Sequence, residues 1–318
     1  MNETTVTTTS PANKKPLIAI VGATGVGKTG AAILLAREVD GEVVSADSRY
    51  LYRGMDIGTA TPSEAEMVGV PHHLINILSP GDDYSLTLYQ RDALAAIDAV
   101  QQRGRVPILA GGTPLYVNAL LEGWRIPEVP PNREFRAAME KLAFAEGAST
   151  LHDRLGKVDP AAAARIPPAN VRRVIRALEI HQHTGQRMSE IEGKDPPPFR
   201  TLLIGLTLPR DELYQLVDAR IDRLILGGFV EEVRELLRQG VSPEAPSMSA
   251  IGYPEMIAFI QGSATLAEAT ERMKFHTHRY VRHQFTWLKR MDSVHWIDPR
   301  VGDWFDQIAR LAYEFLAT

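Results

Sequence analysis

The sequence predicts an α/β fold: a parallel sheet covered by helices on both faces and interrupted by a helical insertion. Three observations carry this reading. Short β-branched apolar runs alternate with segments of helical spacing over residues 16–123 and again after 199, the pattern of strands joined by crossover helices. The first run, "PLIAIVGA", leads straight into "GATGVGKT", a strand, glycine-rich loop and helix start of the kind that cradles phosphate. From Trp124 to Pro198 strand signals give way to helix-like segments bounded by "RIPEVPPN" and "GKDPPPF", the mark of an insertion with its own linkers. With the loop included, the class is P-loop NTPase-like.

The opening "MNETTVTTTSPANKK" has no central apolar region and no arginine. It reads as a disordered tail over 1–15, neither a secretory signal nor a transit peptide. Residues 16–39 then read as strand, loop and helix, and "GEVVSAD" as a strand ending at Asp47. "YQRDALAAIDAVQQRG" places Leu94, Ile97 and Val100 on one helical face, and "RVPILAGG" supplies the next strand. The core's first part thus covers 16–123, the insertion 124–198, and the core's second part 199–318. That second part comprises a strand in "FRTLLIGLTL", a long helical stretch broken by glycines from Asp211 to Gly240, a basic C-terminal helix and a last strand at "VHWID".

Composition narrows the function classes. A hydrophobic fraction of 44% with 23% charged residues is that of an ordinary globular chain, which excludes disorder as a whole. Cysteine is absent from the sequence, so disulfides, thiolate catalysis and cysteine-based zinc sites are excluded together. No apolar run approaches the roughly 20 residues that span a bilayer, and a cytoplasmic, membrane-free monomer is expected. The net charge of −4 argues against a generic polyanion binder; a nucleic-acid partner has to be met by local basic patches.

In the loop Gly22–Thr29, backbone amides and a helix N-terminus form an anion nest, Lys28 adds a point charge and Thr29 offers a hydroxyl to Mg2+. Without ligand the lysine is expected to be solvated. A hydrolase or kinase of this class carries a second apolar strand ending in a magnesium-holding aspartate, whereas "VPILAGGT" ends in glycines and Thr113. Asp47 is the acid at a strand end. Ligands of open α/β sheets bind beyond the carboxyl ends of the strands, so Asp47, Thr113 and the phosphate loop are expected to share a crevice. Asp47 equally suits a turn cap.

Two basic segments stand out. Arg172, Arg173 and Arg176 crowd one side of "NVRRVIRALEIHQHTG" while Val171, Val174, Ile175 and Leu178 face inward; the stripe suits phosphate tracking or a solvated face. The C-terminal helix carries Arg272, His276, Arg279 and His283 along one side, Lys274, His278 and Arg282 on the next, and Met273, Tyr280, Trp287 and Met291 as its core seam. His276 with His278, and His72 with His73, raise a metal-site reading that ranks below basic surface or site rim, because i,i+2 positions diverge on a helix.

Taken in order, "GATGVGKT", "SADSRYLYRGMDIGTATP", "LAGGTPLYVNALLEG", "RRVIRALEIHQHTG", "SAIGYPEM" and "RHQFTWLKR" resemble the tRNA dimethylallyltransferase family, over about residues 16–298. The resemblance implies Mg2+-dependent transfer of a dimethylallyl group from dimethylallyl diphosphate to N6 of the adenosine 3′ of the anticodon, on a tRNA anticodon stem-loop. It assigns the diphosphate to Gly22, Ala23, Thr24, Gly25, Val26, Gly27, Lys28 and Thr29, with Thr29 toward Mg2+. It makes Asp47 the group that accepts the N6 proton, with Thr113 and Arg220 closing on the diphosphate side. It further implies a tRNA-facing set of Asp47, Ser48, Arg49, Tyr50, Arg136, Arg172, Arg173, Arg176, Gly252, Tyr253, Arg279 and Arg282. Leu216 stands where the family often has arginine, and Pro254 where a basic or polar residue is common.

Three other readings compete. A free-nucleotide adenylate isopentenyltransferase would share the loop and the aspartate but need neither the insertion nor the basic helix. A small-molecule kinase with the insertion as lid would need the missing magnesium aspartate. A non-catalytic RNA-binding protein would have no use for the intact Gly-Lys-Thr.

Overall fold

The computed structural model describes residues 14–318. The tail expected over 1–15 lies outside the described residues as far as residue 13, and Lys15 already opens a strand. The chain divides into two compact units, one formed by the residues up to Val117 together with Pro198–Thr318, the other by Asn118–Pro197.

In chain order come β1 (Lys15–Gly22), α1 (Lys28–Glu38), β2 (Gly41–Ser45), α2 (Asp56–Thr59), α3 (Glu64–Met67), β3 (His72–His73), α4 (Leu86–Gln102), β4 (Val106–Gly111) and α5 (Pro114–Leu121). The insertion contributes β5 (Trp124–Arg125), α6 (Arg133–Glu146), α7 (Ala148–Val158), α8 (Pro160–Arg165), α9 (Val171–Thr184), α10 (Met188–Ile191) and β6 (Gly193–Lys194). The chain returns through β7 (Phe199–Leu206), α11 (Arg210–Leu226), α12 (Phe229–Arg238), α13 (Tyr253–Ile260), α14 (Leu266–Leu288), β8 (His295–Ile297) and α15 (Trp304–Leu316).

The first unit holds a six-stranded sheet in the order β3-β2-β4-β1-β7-β8, each neighbouring pair parallel. β1 lies inside it, with Ile18 opposite Ile108 of β4 and Leu202 of β7. Leu17, Ile18, Ala19 and Ile20 are fully buried, which is why the strand reads as an unbroken apolar run: both faces are covered. β2 stops at Ser45, two residues before the expected end at Asp47, because the chain turns there to form the site. α4 starts at Leu86, ahead of the expected helix, because the Ser85 hydroxyl accepts from the Leu88 N–H and caps the first turn.

α14 buries Ala269, Met273, Val281, Gln284 and Leu288. The expected seam is corrected accordingly: Tyr280 and Trp287 are half-buried at its edge, and Met291 lies beyond the helix. In the insertion unit, Val174, Ile175 and Ile180 of α9 close on Leu151 and Leu155 of α7, with Val171 and Leu178 packed alongside. The two-residue antiparallel pair β5·β6 is too short to show a period-two signal and was not expected in a helical insertion.

Candidate active site

The phosphate loop turns tightly between β1 and α1. Gly27, at φ 97°, caps α1 in a left-handed conformation that side chains rarely adopt. Lys28 curls back, and its Nζ donates to the Ala23 carbonyl at 2.9 Å. Burial pushes its pKa down to about 8; the Asp47 carboxylate opposes the shift and the Arg220 guanidinium adds to it. The ammonium expected to be solvated is therefore already drawn into the loop.

Asp47 sits in the turn after β2. Its Oδ1 accepts from the Arg49 N–H at 2.9 Å, so it does cap a turn, and only one of its two oxygens is used for that. Thr113 ties the ends of β2 and β4 together: its N–H donates to Ala46 O at 3.1 Å and its Oγ1 accepts from the Ser48 N–H at 3.0 Å. Tyr50 lies beside the Thr29 and Arg220 side chains, and burial and the nearby Asp47 charge push its phenol upward. The loop residues, Asp47, Ser48, Tyr50, Thr113 and Arg220 thus converge. They bring an ammonium, a guanidinium, a carboxylate and hydroxyls into one neighbourhood, which suits an anion beside a group that surrenders a proton.

Two further residues joined to this constellation were not foreseen in it. Gln284 bridges the Thr24 N–H and the Gly112 carbonyl at 2.9 and 2.8 Å. The Tyr280 hydroxyl donates to the same carbonyl at 3.3 Å. The available signal was a glutamine on the apolar side of an otherwise amphipathic helix.

Other members of the expected RNA-facing set are placed differently. Arg172, Arg173, Arg279 and Arg282 are exposed. Gly252 and Tyr253 are buried, and the Tyr253 hydroxyl donates to Met55 O and to Glu232. Glu232 in turn accepts from the Ile57 and Gly58 N–H groups at 2.6 and 3.0 Å. Tyr253 therefore braces the "MDIGT" segment from behind and is corrected from a surface contact to a packing residue.

Arg136 and Arg176 both grip Glu179, which is 2% exposed, and Arg176 also donates to Val129 O at 2.9 Å. These two guanidiniums hold the insertion together. Burial alone would push the Glu179 carboxyl up, but hydrogen bonds from Arg136, the Asn132 N–H and Arg176 bring it down to about 2. Its stabilisation is therefore full above the ordinary carboxylate pKa and is lost as pH falls toward 2. Glu179→Gln is expected to destabilise the insertion by about 1–3 kcal/mol, less than for a fully buried pair because the guanidiniums are partly solvated. Urea denaturation at pH 7 and pH 3 checks this, and the difference between wild type and variant should shrink at the lower pH.

The four histidines that raise the metal-site reading each have a partner. His276 meets Glu255 at 2.5 Å, His278 meets Asp218 at 2.8 Å, His73 meets Glu42 at 2.6 Å and His72 meets Val70 O at 2.8 Å. No group of three or more His, Cys, Asp or Glu gathers into a metal cluster among the described residues. The hard oxygens beside the phosphate loop, the Thr29 hydroxyl and Asp47, do fit Mg2+, which takes few protein ligands and completes its shell with phosphate oxygens and water. No helix among the described residues is long and apolar enough to cross a membrane.

Comparison with known proteins places this geometry. The family model "IPP transferase" matches residues 50–291, and "Isopentenyl transferase" matches 15–76. The chain is 60% identical over 295 residues to a tRNA dimethylallyltransferase of Thermomicrobium roseum, covering 93% of this chain and 90% of the relative. It is 51% identical over 288 residues to that of Chloroflexus aggregans, covering 91% and 97%. Among solved structures, a tRNA isopentenylpyrophosphate transferase of Bacillus halodurans superposes with TM-score 0.71 at 41% identity over 96% of each chain. A eukaryotic dimethylallyltransferase acting on tRNA superposes with TM-score 0.82 at 27% identity, covering 95% of this chain and 80% of the other. A phosphate loop without a second-strand aspartate, an acid turned toward it and this breadth of likeness have one common meaning: the chain belongs to the tRNA dimethylallyltransferase family, whose catalysis is Mg2+-dependent.

Proposed function

We propose that this enzyme transfers a dimethylallyl group from dimethylallyl diphosphate to N6 of the adenosine 3′ of the anticodon in tRNA, releasing diphosphate. The observation that carries the reading is the gathering of Lys28, Asp47 and Arg220: Gly112 lies against the Lys28 ammonium, its neighbour Thr113 holds Ser48 beside Asp47, and the charges of Asp47 and Arg220 both act on Lys28. Two cations suit the diphosphate, and the carboxylate suits the amine that attacks.

The phosphate loop amides and Lys28 bind the diphosphate and stabilise the charge that grows on it as the allylic C–O bond breaks. Arg220, which lies beside Tyr50 and donates to the Ala60 carbonyl at 3.5 Å, adds the second cation. The Asp47 oxygen not used by the Arg49 N–H accepts the N6 proton as the C–N bond forms. Thr113 keeps Ser48, and with it the Asp47 turn, in register with β4. Thr29, with diphosphate oxygens, would hold Mg2+, which neutralises leaving-group charge when bound. A base stacked in an anticodon loop has to be turned out before its N6 reaches Asp47. Within the sheet unit the exposed Arg279 and Arg282 are groups suited to bind RNA phosphates, and within the insertion unit so are the exposed Arg172 and Arg173.

Replacing Arg172 and Arg173 together with alanine is expected to weaken tRNA binding and to flatten its log–log salt dependence by about one to two units of slope, leaving dimethylallyl diphosphate affinity unchanged. Filter binding across a salt series checks this. The function itself is tested by offering labelled dimethylallyl diphosphate with tRNA, AMP or ATP in turn. Label in tRNA alone supports the reading, and label in a free nucleotide moves the chain to the adenylate class.

A further inference from the structure

Gln284 lies on the buried side of α14, 2% exposed, and its amide closes a clamp between two loops far apart in sequence. Its Oε1 accepts from the Thr24 N–H at 2.9 Å, and its Nε2 donates to Gly112 O at 2.8 Å. An N–H can only donate and a carbonyl only accept, so a single orientation of the amide satisfies both. The clamp stands directly behind the lysine: a side chain at Gly112 would start 2.6 Å from Gln284 Nε2 and 3.3 Å from Lys28 Nζ. One turn earlier, Tyr280 reinforces the same carbonyl. The next residue, Thr113, holds Ser48 beside Asp47. Meanwhile α14 turns Arg279, Arg282 and His283 outward to solvent.

We propose that Gln284 is a positioning residue that fixes the diphosphate-ready shape of the phosphate loop and makes donor binding respond to RNA held on the outer face of α14. The inference rests on the prenyl-transfer reading above. Holding the Thr24 amide fixes one peptide plane of the loop, and so the path of the chain from there to Gly27. Because the clamp is a side chain of the helix itself, a shift of α14 under an RNA backbone reaches the phosphate loop through the Thr24 hydrogen bond and the turn after β4 through the Gly112 hydrogen bond, with only Gln284 between.

The test uses full-length protein with inorganic pyrophosphate and Mg2+ as the donor-site probe and an unmodified anticodon stem-loop RNA as the second ligand, followed by titration calorimetry. In wild type, RNA is expected to change pyrophosphate affinity about fivefold or more, the low end of ordinary coupling. Gln284→Met keeps the shape and loses both hydrogen bonds. It is expected to weaken pyrophosphate binding about tenfold, to leave RNA affinity and the thermal midpoint near wild type, and to make the two ligands independent. Should Gln284→Met fail to fold, Gln284→Glu keeps the acceptor for Thr24 and loses the donor to Gly112; the same pattern is expected of it. Wild-type pyrophosphate affinity in a variant overturns the proposal, as does a parallel loss of both affinities and of thermal stability, which marks a merely structural residue. Wild-type affinity for pyrophosphate that is indifferent to RNA overturns the coupling. Wild-type protein that binds no pyrophosphate brings down the prenyl-transfer reading itself and the proposal with it.

Discussion

Lys28→Ala is expected to lower prenyl transfer about 10²–10³-fold or more, the usual loss when a donor aimed at developing negative charge is removed. The loss should fall on donor binding and on turnover together, because the ammonium faces the diphosphate both before and after the C–O bond breaks. Stability is expected to hold or rise slightly: Lys28 gives up one bond to Ala23 O, but it is a cation partly stripped of water beside Arg220. The lowered pKa of about 8 adds a pH signature. In the free enzyme the charged form is lost as pH rises through about 8, so donor affinity should fall above that pH in wild type. The fall should be absent in Lys28→Ala. Transfer rates at saturating tRNA, donor binding measured from pH 7 to pH 9.5 and circular dichroism melts check the three statements in turn.

Asp47→Asn separates proton acceptance from positioning. Asparagine keeps a carbonyl that can accept from the Arg49 N–H, so the turn that Asp47 caps should survive. Loss of the basic oxygen is expected to reduce the single-turnover rate about 10²-fold or more with tRNA affinity little changed. Near-normal rates at saturating substrates would reduce Asp47 to its turn. A drop in donor affinity rescued by excess Mg2+ would assign it to the metal instead.

Much of the fold was legible because its strands are buried on both faces and read as continuous apolar runs, as "PLIAIVG" does for β1. The sheet's edge strand β3, two residues long, carried no such signal. The phosphate loop was legible because the chemistry is local: the nest, the lysine and the helix start are consecutive. Gln284 was not, because its partners Thr24 and Gly112 lie 260 and 172 residues away and a helical period shows only which side it faces. The arginine stripe teaches the same lesson from the other direction. Spacing put Arg172, Arg173 and Arg176 together, yet Glu179, three residues beyond Arg176, draws that guanidinium inward. A carboxylate at i+3 in the same helix was the readable sign that one of the three was committed to its own unit. Tyr253 was misread for want of any local mark of burial; the Glu232 that receives its hydroxyl lies on another helix.

The central claim is that the phosphate loop holds a leaving group rather than a phosphoryl donor. It is tested most directly by dimethylallyl diphosphate carrying one label on C1 and another on its terminal phosphate, incubated with the enzyme, Mg2+ and tRNA without ATP. The C1 label should appear in tRNA as N6-dimethylallyladenosine and the phosphate label as intact inorganic pyrophosphate, in equal amounts. Phosphate label in the RNA or as orthophosphate, or a strict requirement for ATP, would contradict the account.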